Sequence, residues 1–215
     1  MSVEIIDARV AGESPRYVTG PKRGQLRAYR TPRQLSSIDS IGLHHLGPGL
    51  SAEPKPGQTV AERAVWRAKR QPYHAWVQPD LVVLAWPFSV VSWHGNGLNR
   101  RSVGLVVAGN FPSLEAKREP HHDDPRDYAE ALAVALGIVR AELPHVRLLH
   151  SHSQAANKPA DPGELVARIA TAAGAAMLPP LTPVPGFHIG TGQPWPHPWR
   201  LPLDHDNNHL SLGAG

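Results

Sequence analysis

Residues 102–109, Ser-Val-Gly-Leu-Val-Val-Ala-Gly, form a nearly continuous apolar run. A strand with no polar alternation belongs at the centre of a sheet that is covered on both faces. The rest of the sequence must therefore supply neighbouring strands and helices for two layers. Ile41 to Leu46 reads as a strand ending at the breaker Gly-Pro-Gly. Its alternation puts Gly42, His44 and Leu46 on one face and Ile41, Leu43 and His45 on the other. Tyr73 to Gln78 and Leu81 to Pro87 read as two adjacent strands joined by a tight turn at Pro79-Asp80.

Helices are marked as clearly. Thr59 with Glu62 three positions on has the form of a capping box, and no breaker follows until Pro72. Asp124 and Pro125 suit the start of a second helix, on which Tyr128, Leu132, Leu136, Val139 and Leu143 share a face until Pro144 stops it. Val146 to Ser151 is a short strand, and a final helix starts after the Asp161-Pro162-Gly163 turn. The order β-α-β-β-β-α-β-α predicts an α/β fold: one domain with a central mixed β-sheet flanked by helices.

Residues 1–178 are expected to form that domain, with 1–40 as an extended lead-in packed on it. Eight prolines between Pro179 and Pro202 make 179–215 an extended tail or wrap rather than a second domain. Trp195 and Trp199 in this tail could touch a ligand or simply cover the domain.

The balance of 22 Lys and Arg against 18 Asp and Glu, with no long run of one sign, favours anionic partners without choosing among them. Aromatics are 6% and no nucleic-acid motif is present, so nucleic acid is not the expected partner. With no cysteine, thiolate catalysis and thiolate metal ligands are excluded. Stretches such as Leu81 to Val91 are too short and interrupted to span a bilayer. The first residues lack the pattern of a signal peptide, so synthesis in the cytoplasm is expected.

Thirteen histidines make chance His/Asp pairs common, and spacing alone is a weak guide. Three segments nonetheless stand out: His44-His45, Tyr73-His74 with Trp93 to Asn99, and His150 to Gly163. Zinc accepts imidazole and carboxylate ligands, and a catalytic site uses three of them plus an open position. A strand histidine, a late histidine and an aspartate in the following loop would supply that set. The bland alternatives are a surface pair at 44–45, a core Tyr73, an exposed Lys158 and an ordinary helix-opening turn at Asp161. The polar clusters at His121 to Asp124 and at Asp204, His205, Asp206 and His209 read as solvated loops.

The order of these segments resembles the type 2 N-acetylmuramoyl-L-alanine amidases, a family that includes phage lysozyme-like amidases and peptidoglycan recognition proteins. It covers roughly Val3 to Ala173 and rests on IGLHHLG, YHAWVQPD, WHGNGLNRRSVGLVVAGNF and HSHSQAANKPADPG. The resemblance implies a zinc hydrolase that cuts the amide between N-acetylmuramic acid and L-alanine in peptidoglycan. His44, His152 and Asp161 would be the zinc ligands, and Tyr73 and Lys158 catalytic groups. Trp93, His94 and Asn99 would shape the substrate groove. His150 is a rival for His152, which is favoured by its spacing to Asp161. Two departures stand out: Lys158 lies three residues before Asp161 rather than two, and Val106 occupies the place where one branch has a glutamate base. The alternative within the family is a binding module that recognises peptidoglycan without cutting it. A monomer is expected, acting on the wall after release, as in phage lysis, or in cytoplasmic recycling.

Overall fold

The structure, a computed structural model, describes residues 2–11, 13, 16–18, 26–28, 32–46, 56–95, 97–109, 111, 125–155 and 161–195. The apolar run becomes strand β7 (Ser102–Val107), and all six of its residues are buried. It is the fourth of seven strands in a sheet ordered β1-β6-β5-β7-β4-β8-β9. The others are β1 (Glu4–Asp7), β4 (Ser40–His45), β5 (Ala75–Gln78), β6 (Leu81–Leu84), β8 (Leu148–Ser151) and β9 (Thr182–Pro183). Only β5 and β6, joined by the tight turn, pair antiparallel; the other pairings are parallel. The sheet is thus mixed, as expected. In the lead-in, β1 was anticipated only as an extended apolar patch, but it forms the edge strand beside β6. Strands β2 (Arg16–Val18) and β3 (Leu26–Ala28) make a separate antiparallel pair.

Among the described residues, three α-helices cover the two faces. Helix α1 (Val60–Ala68) begins at Thr59, whose side chain and that of Glu62 complete the reciprocal capping box. Ala64 and Ala68 pack it onto Trp76, Val83, Val106 and Ala108. Helices α2 (Ala129–Glu142) and α3 (Glu164–Ala175) lie on the opposite face, over Ile41, Leu43, Val103, Leu105 and Leu149. The face of α2 predicted from Leu132, Leu136, Val139 and Leu143 is buried, and Tyr128, just before it, donates its hydroxyl to Ala108 O. Pro125–Tyr128 is a tighter 3₁₀ turn rather than the first turn of the α-helix. Among the described residues no helix is long and apolar enough to cross a membrane.

After Leu178 the chain stays on the domain as far as it is described. Strand β9 pairs with β8, and Leu181 and Trp195 are buried in the core shared with α2 and α3. Backbone bonds from Ile189 N to Gln154 O and from Gln193 N to Ser153 O tie this segment to the loop after β8. Trp195 therefore serves as covering for the domain; Trp199 lies outside the described residues.

Candidate functional site

Because side chains alternate along a strand, β4, β7 and β8 each present two sets. On the α1 side, Gly42 stands opposite Gly104 and His44 opposite Val106, while His150 pairs with Gly42 from β8. His44 is fully buried. Beyond β8 a 3₁₀ turn, His152–Gln154, is closed by its own capping box between Ser151 and Gln154. That turn sets the His152 ring 4.5 Å from that of His44.

Asp161 lies beside this turn. Asp161 O accepts from Ser153 N at 3.1 Å and from Ser151 Oγ at 2.9 Å, so both ends of the loop are held together. The Asp161 carboxylate then faces inward. Its Oδ1 accepts from the backbone N–H of His45 at 3.0 Å, and its Oδ2 lies 2.6 Å from His152 Nδ1. Gly163 completes the turn at φ +91°, where a side chain would also strike the Phe111 carbonyl at 2.0 Å. His44, His152 and Asp161 thus converge, each buried, with one ligand atom apiece lying within 4.8 Å of one another. Among the described residues this is the one group of three or more histidines and acids placed to hold a metal ion.

Tyr73 flanks the cluster, its ring centroid 4.8 Å from that of His44. Burial, and then the negative charge of Asp161, push its phenol above the ordinary value of 10.0, so at neutral pH it is a hydrogen-bond donor. Val106 is fully buried beside His44 in register, and it makes that wall apolar. His45 points to the other face, where its Nδ1 accepts from Phe111 N at 3.0 Å.

His94 lies inside the domain. Expected at the substrate groove, it is 2% exposed and lies beneath the cluster. Its ring covers Gly42 and Gly104; a Cβ on Gly104 would come within 2.5 Å of His94 Cγ, and one on Gly42 within 2.9 Å of His94 Cε1. Desolvation, with a smaller contribution from the Arg33 guanidinium, holds its imidazole down at about 3. Asn99 is also turned inward: its Oδ1 accepts from Gly95 N at 2.7 Å. Trp93, by contrast, is 41% exposed. Lys158, and the clusters at 121–124 and 204–209, lie outside the described residues.

His150 is not part of the donor cluster. It is buried against the Phe187 ring at 4.7 Å, its Nδ1 is 3.3 Å from Gln154 Oε1, and desolvation holds it down at about 4. Strand alternation alone would put His150 and His152, two residues apart, on one face. The strand ends at Ser151, however, and the turn after it sends the two rings in different directions. Sequence reasoning missed Ser102, whose hydroxyl and carbonyl both meet His94, and the facing pair Gly42 and Gly104. A glycine in the middle of each of two apolar strands was the available signal, since it marks close approach of another group.

A mixed sheet, helices on both faces and a buried two-histidine, one-carboxylate cluster at the strand ends define a class of α/β proteins with a potential metal centre. The chain belongs to the N-acetylmuramoyl-L-alanine amidase family, whose family model matches residues 34–164. No curated protein sequence matches it. Among solved structures it is similar to the N-acetylmuramoyl-L-alanine amidase LysC from Clostridium intestinale URNW, with 17% identity over 75% of this chain and 90% of that one and a TM-score of 0.43. It is similar to the Ph2119 endolysin from Thermus scotoductus MAT2119 bacteriophage Ph2119, with 18% identity over 78% and 99% and a TM-score of 0.47. Drosophila PGRP-LB is similar at 15% identity over 77% and 91%, with a TM-score of 0.48.

Proposed function

We propose that this chain is a zinc-dependent amidase that hydrolyses the bond between N-acetylmuramic acid and L-alanine in bacterial peptidoglycan. The observation that carries this is the convergence of His44, His152 and Asp161 within a chain of the amidase family. The donor set suits zinc: two imidazoles and one carboxylate are the mixture found in open catalytic sites, and no thiolate competes. When bound, zinc supplies Lewis acidity toward the amide carbonyl and activates water at neutral pH.

The chain's own groups do the rest. The backbone N–H of His45 fixes one carboxylate oxygen of Asp161, so the other is aimed at the cluster. Tyr73, kept protonated, donates to the oxygen of the scissile carbonyl as negative charge develops there. Val106 and Trp76 keep the inner wall dry, which strengthens each polar contact made against it. Trp93 offers an exposed aromatic face to the glycan or peptide, and Lys158 a positive charge from the ligand loop. A complete donor set favours hydrolysis over binding alone. Action on the wall after release from the cytoplasm fits the same reading.

Mass analysis of fragments released from purified peptidoglycan, with bound zinc quantified, tests this. Peptides with a free L-alanine amine and glycan strands with free lactyl carboxylates are expected, and a chelator should stop their release. New reducing ends, cuts within the peptide, or retention on the wall with no product would overturn it.

A further inference from the structure

Buried beneath the cluster is a chain of hydrogen bonds whose direction can be worked out atom by atom. It begins at Ser102. The Ser102 carbonyl can only accept, and it does so from Arg33 at 2.7 Å. His94 Nε2 lies 3.3 Å from that same oxygen and 3.1 Å from Ser102 Oγ. The hydroxyl has its own hydrogen directed at Leu98 O, 2.8 Å away, so toward His94 it too accepts. His94 Nε2 must therefore carry a hydrogen. In a neutral imidazole this leaves Nδ1 as a lone pair, and that nitrogen lies 3.0 Å from His44 Nε2. The hydrogen in this contact consequently belongs to His44. A neutral His44 with hydrogen on Nε2 has its lone pair on Nδ1.

We infer that His94 is a positioning residue: by accepting the Nε2 hydrogen of His44, it commits Nδ1 of His44 as the metal-binding nitrogen. This rests on the reading of His44 as a metal ligand. Nitrogen-donating histidines are commonly fixed by a carboxylate or carbonyl on the other ring nitrogen. Here a second imidazole takes that place and passes the bond on to the backbone carbonyl of the central strand. The facing glycines explain how it fits. Strands β4 and β7 have no side chain at Gly42 and Gly104, and the His94 ring occupies the space at van der Waals distance or closer to any Cβ placed there. Arg33 anchors the far end, donating also to Phe88 O at 2.8 Å and Asn99 O at 2.9 Å.

Two variants separate hydrogen bonding from packing. His94→Phe keeps a flat ring over the two glycines but has no acceptor. His94→Asn puts an acceptor oxygen near the Nδ1 position but fills less space. Zinc affinity, measured by competition with a chromophoric chelator, should fall about 10–100-fold in His94→Phe, and His94→Asn should recover most of that loss. Long-range ¹H–¹⁵N spectra of the histidine rings should show His44 protonated on Nε2 in the wild-type chain, with and without zinc. Wild-type affinity in His94→Phe, or weaker binding in His94→Asn than in His94→Phe, would overturn the inference. So would a hydrogen on Nδ1 of His44, a result that needs no variant to fold. Should the folded wild-type chain fail to bind zinc, the ligand reading itself falls. If it binds zinc and the variants are indifferent, only the positioning role is lost.

Discussion

Strands β4, β7 and β8 show two different solutions on their two faces. Toward α2 and α3 they present Ile41, Leu43, Val103, Leu105 and Leu149, all buried and all hydrocarbon, with His45 and Ser151 only at the strand ends. Toward α1 they present Gly42, His44, Gly104, Val106 and His150. The first face stabilises by removing apolar area from water, and it tolerates exchange of one aliphatic group for another of similar volume. The second holds imidazoles at 0–2% exposure, which is costly unless their nitrogens meet suitable partners. His74 shows the pattern: its Nδ1 accepts from Gly104 N at 3.0 Å and its Nε2 faces Val90 O at 3.0 Å. One face carries the stability that allows the other to keep a polar, function-bearing interior. Because the period is two, a one-residue slip of register would exchange the faces and destroy both.

The sharpest way to break this contrast is His44→Ala. Hydrolysis of peptidoglycan should fall to background and bound zinc should be lost, while circular dichroism of the metal-free chain stays that of a folded protein. Full activity would remove His44 from the ligand set. Tyr73→Phe should be milder: turnover down by about 10²–10³, as for loss of one oxyanion donor, with zinc retained at wild-type stoichiometry. Unchanged turnover would assign the phenol to packing.

On the opposite face, Leu105→Ala should cost about 2–5 kcal/mol in chemical denaturation, with activity per folded molecule preserved. A loss of activity larger than the loss of folded protein would mean the two faces are not separable. The smallest effect is in pH. His150 is held down at about 4 against an ordinary 6.5, so above 6.5 it is neutral in both the folded and unfolded chain. As pH falls below that, the unfolded chain binds the proton first and stability declines until about 4. For one proton the slope is at most about 1.4 kcal/mol per pH unit. Thermal melts of the chelator-treated chain at pH 7, 6 and 5 should fall progressively, and His150→Gln should lessen the slope by its one-proton share, the rest coming from His94 and His74, which burial also holds down.

Much of the architecture was legible in local patterns. The unbroken apolarity of β7 marked the centre of the sheet, and Thr59 with Glu62 marked the start of α1 to the residue. The aliphatic spacing of α2 identified its buried face. Edge strands were less legible, because β1 and β9 are short and owe their conformation to a neighbour already in place. In the site, the order of motifs suggested His44, His152 and Asp161, but the residues themselves left His150 open and gave no sign of how deep His94 and Asn99 lie. Nothing within either strand states which glycine will face which.

The sequence by itself determined the helices and the inner strands, since periodicity, capping and breakers act over a few residues and need no partner. It also determined the absence of thiolate chemistry, since the chain contains no cysteine. Tertiary structure alone decided that His152 rather than His150 joins His44 and Asp161, because that depends on where β8 ends and how the following turn is held. It alone decided that the ring of His94 lies under the cluster, because Gly42 and Gly104 become one cavity only when β4 and β7 pair in register. Contacts between residues 50 or 116 positions apart, as in His44–His94 and His45–Asp161, are set by strand pairing and loop closure, which no local pattern encodes.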